Sequence, residues 1–89
     1  MIEVAFSSSF KRALKKRIAI DPRMEARFWD KLETFRNNPF DPKLRTHKLS
    51  GKLKDLWSFT VEFDLRVVFH FVDDQRAYFI DIGTHKEVY

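Results

Sequence analysis

An α+β fold of two layers is what this chain predicts, and three observations predict it. Apolar residues alternate at period two at the start, recur at helical spacing in two successive segments, and return to period two in three later runs. Turn-forming residues separate these runs. The expected order is therefore β-α-α-β-β-β, a helical hairpin laid on a mainly antiparallel four-stranded sheet, with residues 1–89 forming one domain.

Ile2, Val4 and Phe6 alternate with Glu3 and Ala5, a short strand with one buried face. Ser7, Ser8 and Ser9 offer an N-cap. Beyond them Phe10, Leu14 and Ile18 share one helix face while Lys11, Arg12, Lys15, Lys16 and Arg17 point elsewhere. Asp21-Pro22 supplies a second N-cap and first helical residue, after which Met24, Phe28, Leu32 and Phe35 recur at helical spacing until Asn37-Asn38-Pro39 ends the helix. Residues 39–55 are rich in Pro, Asp and Lys and read as a loop anchored by Leu44, Leu49 and Leu53, long enough to reach over a cleft.

From Leu56 the period becomes two. Trp57, Phe59, Val61 and Phe63 face the core, with Ser58, Thr60 and Glu62 opposite; in the next strand, Leu65–Val72, the residues Leu65, Val67, Phe69 and Phe71 do the same. Keeping both sets on one face requires cross-strand partners whose numbers sum to an even value. Pairing Glu62 with Arg66 satisfies this and predicts a three-residue loop, Phe63-Asp64-Leu65, with Thr60 beside Val68 and Ser58 beside His70. Asp73-Asp74-Gln75-Arg76 turns the chain into a last strand, Ala77–Ile82, with Tyr78, Ile80 and Ile82 as core and Asp81 on the polar face. Glu62, Arg66 and Asp81 are then expected on one open face.

Composition narrows the function. Ten Phe, two Trp and two Tyr in 89 residues supply bulky filler for a small core. The absence of cysteine excludes disulfides, thiolate metal sites and a cysteine nucleophile. A reducing cytoplasm fits, since Met1-Ile2-Glu3-Val4 lacks a signal-peptide pattern and no run approaches bilayer length. A net charge of +4 and a pI near 9.6 favour a polyanion or an acidic protein as partner. With only Gly51 and Gly83, no glycine-rich phosphate loop exists and no nucleotide cofactor is expected; His47, His70 and His85 lack metal-ligand spacing, and no metal is expected either.

His47, Asp64, Arg66, His85 and Tyr89 form the coherent set, because this element order can bring a loop, a hairpin turn and a strand end together. Attack of a ribose 2′-hydroxyl on the adjacent phosphate needs a base, a cation for the charged transition state and an acid for the leaving oxygen, and these side chains can fill those roles. Each also has a plain structural reading: loop residue, turn former, partner of Glu62, solvated tail.

The stretches His47-Lys48-Leu49-Ser50-Gly51, Leu56-Trp57-Ser58-Phe59, Asp64-Leu65-Arg66-Val67-Val68-Phe69 and Gly83-Thr84-His85-Lys86-Glu87-Val88-Tyr89 together resemble the RelE/ParE toxin superfamily, and within it YafQ-like toxins. The resemblance implies a toxin of a type II toxin-antitoxin pair that cuts mRNA on the translating ribosome without metal or cofactor. Its implied partners are a cognate antitoxin, the ribosome and mRNA. It further implies His85 as general acid, His47 as candidate base, Asp64 as an orienting or base-sharing carboxylate, Arg66 on the scissile phosphate and Tyr89 against a base. Thr60 stands where YafQ-like toxins carry another histidine, leaving it as an RNA-binding position, and Leu65 stands where they carry an aromatic. Two alternatives remain open on the residues: a ParE-like inhibitor of DNA gyrase, and an RNA- or protein-binding member of the fold that has lost catalysis.

Overall fold

In the computed structural model, which describes residues 1–51 and 55–89, five strands form one sheet in the order β1-β5-β4-β3-β2. They are β1 (Glu3–Phe6), β2 (His47–Lys48), β3 (Trp57–Glu62), β4 (Leu65–Asp73) and β5 (Arg76–Thr84). Helices α1 (Ser8–Ile20) and α2 (Met24–Asn37) cover one face, and a third helix, α3 (His85–Val88), closes the described chain. The two-layer α+β arrangement is as expected, with one strand more than expected. That strand, β2, lies inside the segment read as a loop, where it pairs His47 with Ser58 and Lys48 with Trp57. In the same segment Pro42–Leu44 forms a 3-10 turn that buries Leu44 completely. Leu49 is half-buried, whereas the anchoring expected of Leu53 lies outside the described residues.

The helices sit as their periodicity dictates. Phe10, Leu14, Met24, Phe28 and Phe35 are buried against the sheet, and Ile18 and Leu32 pack at the margin. The Ser7 side chain accepts the Phe10 amide at 2.9 Å and caps α1. Helix α2 starts later than Asp21-Pro22 predicts: the Asp21 carbonyl accepts the Met24 amide in a turn, and Met24 is the first helical residue.

The register shifts at three places: between Thr60 and Glu62 in β3, at Ile80 in β5, and at Val72 in β4, where Phe71 pairs with Ala77 but Asp73 with Arg76; the first two shape the site. Between β3 and β4, Thr60 pairs with Arg66, Phe59 with Val67 and Ser58 with Val68, so the sum of partners is even, but each is shifted by two from the predicted pairing. The chain turns in two residues, Phe63-Asp64, and a bulge at Val61 absorbs the odd residue. Phe63 therefore leaves the core: its φ is +43° and it is 94% exposed. The same bulge carries Glu62 to the helical side, where its carboxylate lies 3.0 Å from Arg27 of α2. Glu62 is thus neither the partner of Arg66 nor on the open face, which Arg66 and Asp81 do share.

In β5 a second bulge falls at Ile80, because Phe69 pairs with Phe79 while the adjacent Val68 pairs with Asp81. Alternation inverts there. Ala77, Phe79 and Ile82 are the buried apolar side chains, and Tyr78 and Ile80 are not among them, correcting the expected even-numbered set in all but Ile82. The freed Ile80 carbonyl accepts hydroxyls from Ser7 and Ser9, each at 3.0 Å.

Phe35 sits at the middle of the aromatic core, with ring centroids 5.0 Å from Phe69, 5.2 Å from Phe59 and 5.3 Å from Phe79. Removing so central a ring leaves a cavity that rigid strands cannot close. Phe35→Ala is expected to lower unfolding free energy by about 3–5 kcal/mol in urea titration, and Phe63→Ala, at the exposed tip, by less than about 0.5 kcal/mol.

Candidate active site

The outer face of the sheet, opposite α1 and α2, carries the candidate residues. Cross-strand pairs share a face, so His47, Ser58, Val68 and Asp81 line up across four strands, with Thr60, Arg66 and Gly83 in the neighbouring row. The tail folds back over this face. Gly83 makes that possible: a methyl group there would stand 3.0 Å from Glu87 Oε1 and 3.1 Å from Val88 Cγ1. Thr84 and Glu87 form a reciprocal capping box, with the Thr84 amide donating to Glu87 Oε1 at 2.8 Å. The same oxygen receives Arg17 of α1 at 2.5 Å. The tail read as a solvated strand end is thus a capped turn of helix tied to α1.

This turn sets His85 and Tyr89 beside Arg66. Arg66 Nη1 lies 3.2 Å from His85 Nδ1, its guanidinium stands over the Tyr89 ring at 5.5 Å, and the two rings meet edge to face at 4.5 Å. A guanidinium only donates, so His85 Nδ1 accepts and the neutral ring carries its hydrogen on Nε2. His47 is held the other way. Its Nδ1 is 3.0 Å from the Arg45 carbonyl, which only accepts, so the neutral ring keeps a lone pair on Nε2.

His47, Arg66, His85 and Tyr89 line one open cavity of about 320 Å³, together with Lys48, Leu49 and Ser50. Asp64 stands at its rim on the hairpin tip, 3.8 Å from Arg66 Nη2. Thr60 is the cross-strand partner of Arg66 but lines a different hollow, with Arg27, Lys31, Lys43 and Arg45. Arg66 Nε is buried and finds no partner among the described residues, and neither does the buried Ser58 hydroxyl. A guanidinium whose outer nitrogens meet only a neutral imidazole and a carboxylate at 3.8 Å is equipped to receive an anion on them.

Sequence reasoning missed Glu87, whose signal was present: Thr84-x-x-Glu87 is the capping-box spacing. It also missed Lys48 and Ser50, which carry no local signal and reach the cavity only because β2 joins the sheet.

A small basic chain with two helices on a twisted sheet, and a cation, two imidazoles and an aromatic gathered on the open face, has the build of a RelE-like toxin. Residues 2–89 match the family of the bacterial toxin of the type II toxin-antitoxin system, YafQ, and the chain belongs to that family. It is accordingly a toxin of a type II toxin-antitoxin system. Among solved structures, a copper-bound mutant toxin from Helicobacter pylori is similar at 24% identity over 100% of both chains, with a TM-score of 0.80. YafQ from E. coli is similar at 20% identity over 100% of this chain and 99% of that one, with a TM-score of 0.75. The E. coli DinJ-YafQ complex matches at 19% identity over 100% and 99%, with a TM-score of 0.73. No curated protein matches the chain. No described helix is long and apolar enough to cross a membrane.

Hydrogen bonds from the Thr84 backbone and side chain, with Arg17 nearby, hold the Glu87 carboxyl below the usual glutamate range. A carboxyl depressed by folding stabilises the fold above its unfolded pKa, and that stabilisation is lost as pH falls through the folded value. The tail is therefore expected to release in acid, below the ordinary glutamate range. Following the Tyr89 ring by NMR should show it moving away from His85 over that window, while Glu87→Ala should show the released spectrum at neutral pH.

Proposed function

We propose that this toxin is a ribosome-dependent mRNA endonuclease that works through side chains alone, without metal or cofactor. What carries the reading is the meeting of Arg66 with His85 and Tyr89 in the cavity that His47 also lines. With mRNA in this cavity, His47 Nε2 takes the proton of a ribose 2′-hydroxyl, and O2′ bonds to the adjacent phosphorus. Arg66 turns from His85 to the phosphoryl oxygens and offsets the charge they gain. His85, released by Arg66, takes a proton from solvent on its freed Nδ1, and the resulting imidazolium gives its Nε2 proton to the departing O5′, so that the P–O5′ bond breaks and a 2′,3′-cyclic phosphate and a 5′-hydroxyl remain. Asp64 orients Arg66 from the rim, and Tyr89 stacks on a base beside the scissile bond.

Thr60 serves RNA binding rather than proton transfer, since its hydroxyl is a weak base and it faces a separate hollow. The acidic partner that a basic surface calls for is a cognate antitoxin, in keeping with the E. coli relative solved in complex with DinJ. Both partners place the protein in the cytoplasm.

A purified translation system tests the reading. Defined mRNA should be cut by the wild-type protein only while ribosomes are translating it, and His85→Ala should slow cutting by at least about 100-fold. Mapping of 5′ ends gives the readout. Intact mRNA with wild-type protein would sink the proposal, and intact mRNA accompanied by loss of gyrase supercoiling would replace it with a ParE-like action.

A further inference from the structure

Beside the catalytic cavity, around the free edge of β3, lies a second hollow of about 560 Å³. Strand β2 pairs only with Trp57 and Ser58, so beyond them no described strand covers the edge from Thr60 to Glu62. Arg27 and Lys31 of α2, with Lys43 and Arg45 of the loop before β2, surround it, and Phe63 stands at its rim. Glu62 is the sole acid in the lining, and Arg27 pairs with it at 3.0 Å, leaving three cations uncompensated there.

One observation at this rim lacks a folding explanation. Phe63 occupies a two-residue hairpin turn at φ +43°, where Gly, Asn or Asp would sit without strain, and it exposes 94% of its surface. Arg45, which lines the same hollow, takes φ +53° as the left-handed cap that ends the Pro42–Leu44 turn, its amide donating to the Pro42 carbonyl. Strain like that at Phe63 persists where the surrounding structure enforces it, and it points to a function. A solvent-facing aromatic beside a cluster of cations is the pairing that binds single-stranded nucleic acid, the ring stacking on a base and the cations taking phosphates.

We infer that this hollow holds the single-stranded RNA flanking the cleaved bond, with Phe63 stacked on one base and Lys31, Lys43 and Arg45 on the phosphates of the strand leaving the cavity. The two sites are contiguous: Thr60 pairs with Arg66, and the Arg45 carbonyl holds His47. The subsite belongs to the nuclease reading and rests on it, yet it is separable by experiment.

A short fluorescein-labelled single-stranded RNA is titrated by anisotropy, at several salt concentrations, into His85→Ala protein and into the same protein carrying further changes. Phe63→Gly relieves the strained φ, so its melting temperature should match or exceed the parent's, yet it should bind the RNA about tenfold more weakly. Phe63→Tyr should bind as the parent does. Lys31→Gln with Lys43→Gln should flatten the slope of log affinity against log salt by about 1.4, near 0.7 for each phosphate no longer neutralised. Unchanged affinity and slope in these variants, with mRNA still cut by the wild-type chain, would overturn the subsite and leave the nuclease reading standing. Unchanged RNA affinity with loss of antitoxin binding would assign the hollow to an acidic protein instead and equally overturn it. Should the variants bind RNA as predicted while wild-type protein leaves translated mRNA intact, the subsite holds and the cleavage reading falls.

Discussion

Phe79 and Ile82 both face the helices, although they are separated by two residues and strict alternation would put them on opposite sides of β5. The extra residue at Ile80 reconciles them, and the rest of the molecule follows from that insertion. Before it, β5 supplies Ala77 and Phe79 to the aromatic core; after it, the strand turns Asp81 and Gly83 outward, with Gly83 beside Arg66. Ser7 and Ser9 stabilise the irregularity by donating to the Ile80 carbonyl, while the Ser7 oxygen also caps α1. One polar contact thus fixes where the first helix starts and which face of β5 carries the tail. Without the bulge, a continuous ladder would aim Gly83 at the helices and leave α3 no backbone to lie against.

Arg66 is where fold and chemistry meet. Its neighbours come from separate parts of the chain: Asp64 from the hairpin tip, His85 and Tyr89 from the capped tail. Each interaction is modest, since the carboxylate stands at 3.8 Å and the imidazole is a neutral acceptor. Leaving the buried Nε unpartnered costs on the order of 1–3 kcal/mol. A guanidinium saturated by two close carboxylates would be more stable and would have no donor left for an anion.

Much of this was legible in the residues. Periodicity located α1, α2, β3 and β4 and most of their buried faces, because burial of large apolar side chains dominates those elements. The even-sum rule for β3 and β4 also held, but it fixes only the face and not the turn, and Phe63 could not be foreseen at positive φ since its own preference opposes it. The Ile80 bulge was invisible because serines distant in sequence hold it, and the Val61 bulge because it follows from that unforeseen tight turn. The short strand β2 is too brief to leave a pattern. At the site, His47, Arg66, His85 and Tyr89 converge from the positions the motifs suggested, whereas Thr60 diverges because the sheet edge it occupies belongs to another hollow.

The bulges at Val61 and Ile80 also shape the margin of the open face. Ser58 is wholly buried and Val68 nearly so, although both point away from the helices, so the middle of this face behaves as a second, smaller core. At its margin the alternation breaks: Val61 sends Glu62 to Arg27, removing a carboxylate that would have stood beside Arg66, and Ile80 brings Gly83 outward to receive the tail. One irregularity strips a competing anion from the cation, and the other delivers an imidazole and a ring to it. Had the ladder run on from Thr60–Arg66 without the bulge, Glu62 would lie opposite Asp64 on the open face, diagonal to Arg66, and two carboxylates would crowd the guanidinium.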